Sequence, residues 1–454
     1  MKLFQKLLVA STAMSLITPL AAQASDTVNL DKVNNFSEVQ RFDNKTFTNE
    51  VSDDLAVLKD ILNRLSDKGL IGSDDLANLK ESLDETETKQ NVLEAGGFSD
   101  TTTMDGKAIF TLGSVNYDDD SGNSEAVQAY YSYTMNLNSS FTGDDNLYVR
   151  IKSGNGGDFA NSKTYGTYLS SNKANGDVLK VDKIWYQFPV GESNTVWVGP
   201  KIENYYMHGT SPSIYKPVTK QFTLGGNGNA YGASTDTGAG WAYQADNGFA
   251  ISSNIGTKST TTGSVDILND DDVVIGSKAI NTGLLTDETK TSWATQIGYT
   301  QPRYSVSAIV NVKSNGWSDS YYKAGDINGN AADTDQYTAL GLRGWWRPEE
   351  TGSVTPSISV GYDTTDYETS TADAWFVGLN WQDIFSADDR IGAAFGQPTS
   401  NEDSDVTPFA YEVYYAFKPN DSITVTPAIF GGTDRNGVSG GDVFGSVLET
   451  TFKF

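Results

Sequence analysis

One stretch of this chain stands apart chemically. From Asn204 to Thr235 there is no aspartate or glutamate, yet the segment carries Lys216, Lys220 and His208, the only histidine in a 454-residue chain of formal net charge -26. Tyr215 and Tyr231 lie among them. Cations in an acid-free segment suit the recognition of anions and polar solutes. They suit hydrolysis less well, because a Ser/His arrangement would have to use His208 as its base and no nucleophile motif stands near it. No catalytic residue is therefore assigned. The run LGGNGNAYG (224–232) has the glycines of a phosphate-cradling loop but no GKS or GKT ending and no following helix, so it reads as a tight turn. The run DINGNAADTD (326–335) spaces its oxygens like a calcium loop but lacks the closing glutamate, so no metal and no cofactor is assigned.

Further basic residues recur at alternate positions, which identifies the elements that must carry them. Leu147, Val149 and Ile151 alternate with Tyr148, Arg150 and Lys152, and Tyr304, Val306, Ala308 and Val310 alternate with Arg303, Ser305 and Ser307. Lys201, Arg343, Arg347 and Arg390 fall on polar faces in the same way. Successive strand side chains point to opposite sides, so each such segment offers one apolar and one polar face. Sixteen of them are predicted between 105–117 and 443–454, 371–382 among them. Short links alternate with mostly longer ones such as 154–177, 204–237, 258–290 and 314–334. That sorting predicts an all-β transmembrane antiparallel barrel of about 16 strands, with lipid outside and water inside. The last strand places Phe454, Phe452, Leu448 and Phe444 on its apolar face, and the terminal Phe454 with Phe452 reads as a barrel-assembly signal. Pro200, Pro356 and Pro427 fall inside predicted strands, where a closed barrel offers no free edge for a missing N–H.

The flanking sequence fits export. Lys2 and Lys6 precede an apolar run ending at Ala22-Gln23-Ala24, which predicts a signal peptide over 1–24. The segment 25–97 reads as periplasmic linker and helix, with Leu76, Leu79, Leu83 and Leu93 along a short coiled-coil seam. The barrel is expected over 98–454. The chain has no cysteine, which removes disulfides and thiolate metal sites, and its acidity makes it a poor binder of nucleic acid.

Three passages carry a resemblance: FSDTTTMDGKAIFTLGS (98–114), LKVDKIWYQFPVGESNTVWVGPKIENYYM (179–207) and PSIYKPVTKQFTLGGNGNAYGASTDTGAG (212–240). With the opening MKLFQKLLVA, they resemble cyanobacterial members of the carbohydrate-selective porin family. The resemblance implies a homotrimeric outer-membrane channel whose N-terminal surface-layer-homology module grips the cell wall. Here ILNRLSDKGLIG (61–72) matches only the first part of such a module, which leaves peptidoglycan contact unsupported and the coil to trimerisation alone.

Within such a pore, 204–237 is the third long loop, the one that folds inward in many trimeric porins. Lys216, Lys220, His208, Tyr215 and Tyr231 would then form the constriction, facing a basic wall of Arg150, Lys152, Lys201, Arg303, Arg343 and Arg390. Charge on a narrow wall steers ions more than acidic runs in outer loops, which salt screens within about 10 Å. The expected function is passive diffusion of small hydrophilic solutes and inorganic ions, with anions favoured. The competing expectation is a surface adhesin or a phage or solute receptor built on the loops 258–290 and 314–334.

Overall fold

The computed structural model describes residues 101–118, 126–226, 228–231, 237–258, 260–269, 273–284, 289–315, 317, 336–349, 354–367, 370–437 and 439–454. The expected signal peptide, linker, helical segment and calcium-like stretch lie outside these residues. Two compact units are present: Met1–Asp105 with Leu137–Ser140, and Gly106–Asn136 with Phe141–Phe454. In the first, Thr102 and Ser139 share a hydroxyl hydrogen bond of 2.8 Å and the Ser140 amide donates to Thr101.

Alternation of side chains becomes a closed antiparallel barrel of sixteen strands. In chain order these are β1 (Thr102–Tyr117), β2 (Gln128–Ser139), β3 (Asn146–Gly154), β4 (Lys180–Val190), β5 (Asn194–Lys201), β6 (Thr237–Gln244) and β7 (Phe249–Thr257). After a separate hairpin of β8 (Thr260–Leu268) and β9 (Val274–Gly283) come β10 (Thr291–Gln301), β11 (Tyr304–Ser314), β12 (Gln336–Trp346) and β13 (Ser357–Asp366). The last are β14 (Thr371–Gln382), β15 (Arg390–Asn401), β16 (Phe409–Asn420), β17 (Ile423–Thr433) and β18 (Val443–Lys453). β1 closes on β18 from Lys107↔Lys453 to Tyr117↔Val443, and backbone bonds between Gly106 and Phe454 extend the seam. The hairpin lies in the expected loop 258–290, whose Thr, Asp and Gly content gave no sign of strands.

The apolar faces point outward: Phe110, Leu112, Trp293, Ile297, Val306, Leu342, Val360 and Val413 are all exposed. Opposite them, Ser252, Asn254, Gln296, Asn311, Lys313, Arg343, Asp363 and Glu412 are buried. No helix among the described residues is long and apolar enough to cross a membrane; the strands carry the lipid-facing surface instead.

The prolines have local solutions. The β4–β5 register steps from Ile184↔Lys201 to Tyr186↔Val198, so Gly199 and Pro200 together oppose Trp185 in a bulge. Pro356 sits just before β13, outside the strand. Opposite Pro427 the β16–β17 pairing passes from Tyr414↔Ala428 to Phe417↔Val425, leaving a gap where the proline lacks its donor.

Candidate functional site

The segment between β5 and β6 touches the buried faces of strands around the barrel, from β3 and β4 through β7 and β10 to β14 and β16, which from a closed barrel is reachable only within the lumen. Gln296 on β10 exchanges hydrogen bonds with the Thr210 backbone, 3.0 Å each way, and donates to the Tyr231 hydroxyl at 2.6 Å. Asn311 and Lys313 on β11 donate to the carbonyls of Ala230 and Asn229 at 3.1 and 2.6 Å. Arg343 on β12 donates to the Leu224 carbonyl at 2.8 Å and pairs with Asp363 on β13 at 2.6 Å. Within the stretch 224–232, expected as a tight turn, Leu224 and Gly225 have φ of 55° and 72°, and a Cβ on Gly225 would lie 2.5 Å from Arg343 Cδ. Only glycine allows that approach of backbone to guanidinium.

Further along the same loop, Glu412 on β16 takes four hydrogen bonds. Tyr215 Oη donates at 2.9 Å, the Val218 and Thr219 amides at 3.1 and 2.7 Å, and Thr219 Oγ1 at 2.5 Å. Four donors fill the acceptor capacity of a carboxylate. The segment between β3 and β4 joins from the other side. Leu169 bridges Thr219, the Ser170 amide donates to Val218 O at 2.8 Å, and the Lys220 amide donates to Tyr168 O at 2.7 Å. This second loop is tied to the wall by Ser171, which donates to Glu449 on β18, and by Arg435 Nε, which reaches Tyr165 O at 3.1 Å. Phe159, Leu169, Tyr215, Val218 and Phe222 then pack with Phe376, Tyr414, Phe430 and Val447 in an apolar cluster inside the barrel.

The same two loops also meet a basic group of side chains. Arg150 on β3 pairs with Asp182 at 2.7 Å and with Glu203 at 2.6 Å, and Asp182 also holds Lys173 at 2.7 Å and Lys183 at 3.7 Å. Lys152 and Lys220 share the electrostatic surroundings of these two carboxylates. Among the described residues of the cluster, five basic side chains thus face two carboxylates. Burial lowers the Lys220 pKa, with Glu203 opposing the shift.

The expected constriction residues separate into two kinds. Tyr215 and Tyr231 are buried anchors, Tyr231 lying beneath the Arg343 guanidinium at 4.8 Å from its ring centre. His208 is wedged against β7: its Nδ1 is 3.1 Å from Ser252 Oγ and its Nε2 is 3.4 Å from the Asn254 amide nitrogen. Because that nitrogen also donates to Asn204 O, Nε2 accepts and Nδ1–H donates, a neutral tautomer that cannot take a proton from Ser252. Burial lowers the His208 pKa to about 4. Lys216 keeps solvent access, but the protein mass around it partly desolvates its ammonium and, with Arg390 as its charged neighbour, lowers its pKa.

Of the expected wall, Arg150 and Lys152 lie in the basic cluster, and Lys201 reaches Val181 O at 3.2 Å. Arg343 is committed to the loop and Asp363. Arg303 sits in the β10–β11 turn, exposed, 3.4 Å from Glu349. Phe452 packs on Phe110 at 5.2 Å between ring centres and Phe454 stacks on Tyr133 at 5.8 Å. Asp182, Lys173, Lys183 and Glu412 carry much of the site and were not foreseen. For Glu412 a signal existed: it alternates in phase with Ala410 and Tyr414 on a face that a lone carboxylate enters only with partners.

A profile of the carbohydrate-selective porin, OprB family, matches residues 73–454. An uncharacterized protein of Nostoc sp. is 25% identical over 419 residues, covering 84% of this chain and 70% of the relative. Pseudomonas putida OprB superposes with a TM-score of 0.55 at 12% identity, over 82% of this chain and 97% of that one, a likeness of fold.

Proposed function

Because the chain belongs to the OprB family of carbohydrate-selective porins, outer-membrane channels rather than enzymes, we propose that it passes small hydrophilic solutes and inorganic ions by passive diffusion with anions favoured at the constriction. The observation that supports the preference is the set of five basic side chains around Asp182 and Glu203, beside the two loops that enter the lumen. In a confined, low-dielectric passage such an excess acts on every permeating ion, whereas outer-loop carboxylates are screened. Export through the signal peptide 1–24 and assembly as a homotrimer belong to the same reading. A planar-bilayer reversal potential in a KCl gradient tests it. Wild type is expected to be anion-selective, and Lys152→Gln with Lys220→Gln to move the potential toward the cation limit. A cation-selective wild type, indifferent to the double substitution, would sink the preference.

A further inference from the structure

Beside the basic wall stands an aromatic group that the ion path alone does not require. The short 3-10 turn Asn204–Met207 carries Tyr205 and Tyr206, ring centres 5.2 Å apart. Tyr206 rests on Trp185 at 5.3 Å and on Tyr148 at 6.3 Å, and these two lie 4.3 Å from each other. Tyr148 and Trp185 are buried on the inward faces of β3 and β4, and the Tyr148 hydroxyl is fixed by Asn136 at 2.8 Å. Tyr206 nevertheless keeps 48% of its surface accessible. Its support is inward, so its open face looks into the lumen and not toward lipid. A ring serving only to fill space would be covered; this one is held rigid from behind and left bare in front, with the Arg150 guanidinium beside it.

Resting on the anion-favouring reading above, we infer that Tyr206 and the adjoining cations Arg150, Lys152 and Lys220 form a subsite for anionic pyranoses, sugars of the uronate class. The C–H face of a pyranose packs on an aromatic ring as apolar surface does. Its carboxylate, a few ångströms further out, meets the basic side chains of Arg150, Lys152 and Lys220, where charge-assisted hydrogen bonds are strongest. Neither part suffices alone: the ring without the charge favours any sugar, and the charge without the ring favours any anion.

Interruption of single-channel current by glucuronate, glucose and glycolate in planar bilayers tests the pairing. Glucuronate should half-block at a concentration about threefold to tenfold below glucose, which lacks the charge, and glycolate, which lacks the ring. Tyr206→Ala should remove the advantage over glycolate, Tyr206→Phe should restore it, and Val354→Ser, on an exposed turn, should leave it untouched. Anion selectivity in the salt gradient with no advantage for glucuronate overturns the subsite while leaving the channel reading standing. Absence of anion selectivity overturns both.

Discussion

Removing the acceptor at Glu412 should release the loop proposed to narrow the pore without opening the barrel. In Glu412→Gln the shape is kept, but one oxygen becomes an NH2 donor. The hydroxyls of Tyr215 and Thr219 can turn to accept from it; the backbone amides of Val218 and Thr219 cannot. Whichever way the new amide is oriented, one buried N–H faces a donor, at a cost of about 1–3 kcal/mol. That amounts to a shift of roughly 5- to 150-fold in the docking equilibrium of the segment. Glu412→Ala orphans both amides and should go about twice as far in free energy. The β16 ladder to β15 and β17 uses only backbone, so heat-modifiable migration of the folded barrel should persist. Liposome swelling with saccharides of graded size is the assay, with single-channel noise as a second readout. Both variants should admit larger sugars than wild type, in the order Ala, Gln, wild type. An unchanged size cut-off with normal folding would refute the idea that this carboxylate holds the constriction.

His208 gives a pH signature. Its folded pKa of about 4 lies below the ordinary value of 6.5, so its contribution is complete above about pH 6.5 and is lost as pH falls through about 4, up to about 3 kcal/mol of loop docking. Channel noise should rise on acidification over that window more in wild type than in His208→Gln, and equal responses would assign the effect to carboxylates instead of this imidazole. At the closing seam, a Cβ on Gly106 would come within 2.6 Å of the Phe454 ring and 2.5 Å of the Thr134 carbonyl. Gly106→Val and deletion of Phe454 should both lower the yield of folded barrel from urea on a heat-modifiability gel, and normal yield from either would remove the assembly role of this corner.

Much of the architecture is visible in local sequence because a barrel wall imposes the same two-residue period everywhere. The expected segment 371–382 coincides with β14, and most other boundaries move by a few residues at either end. What escapes is where the period is broken for local reasons: Pro200 in its bulge, and the β8–β9 hairpin hidden in a Thr/Asp/Gly tract. The site was less legible. Lys216 and Lys220 were conspicuous because their segment lacks acids, but whether a residue anchors the loop or faces the passage depends on which strand it meets. Tyr231 goes under Arg343 and Tyr206 stays bare, although both are tyrosines of the same loop, since the curving sheet brings β12 to the one while the other stays beside its own β4–β5 hairpin.

The two straps inside the barrel leave the wall early in the chain and are fastened late. Thr219 waits for Glu412, 193 positions downstream; Tyr165 waits for Arg435, 270 away; Ser171 waits for Glu449, 278 away. Partners so remote meet only after long stretches of chain have been ordered, so their pairing comes near the end of folding. A nascent barrel lacking its final hairpin therefore leaves the β3–β4 strap unfastened at Tyr165 and Ser171, and the same last strand that seals the cylinder against lipid also holds an element of its interior.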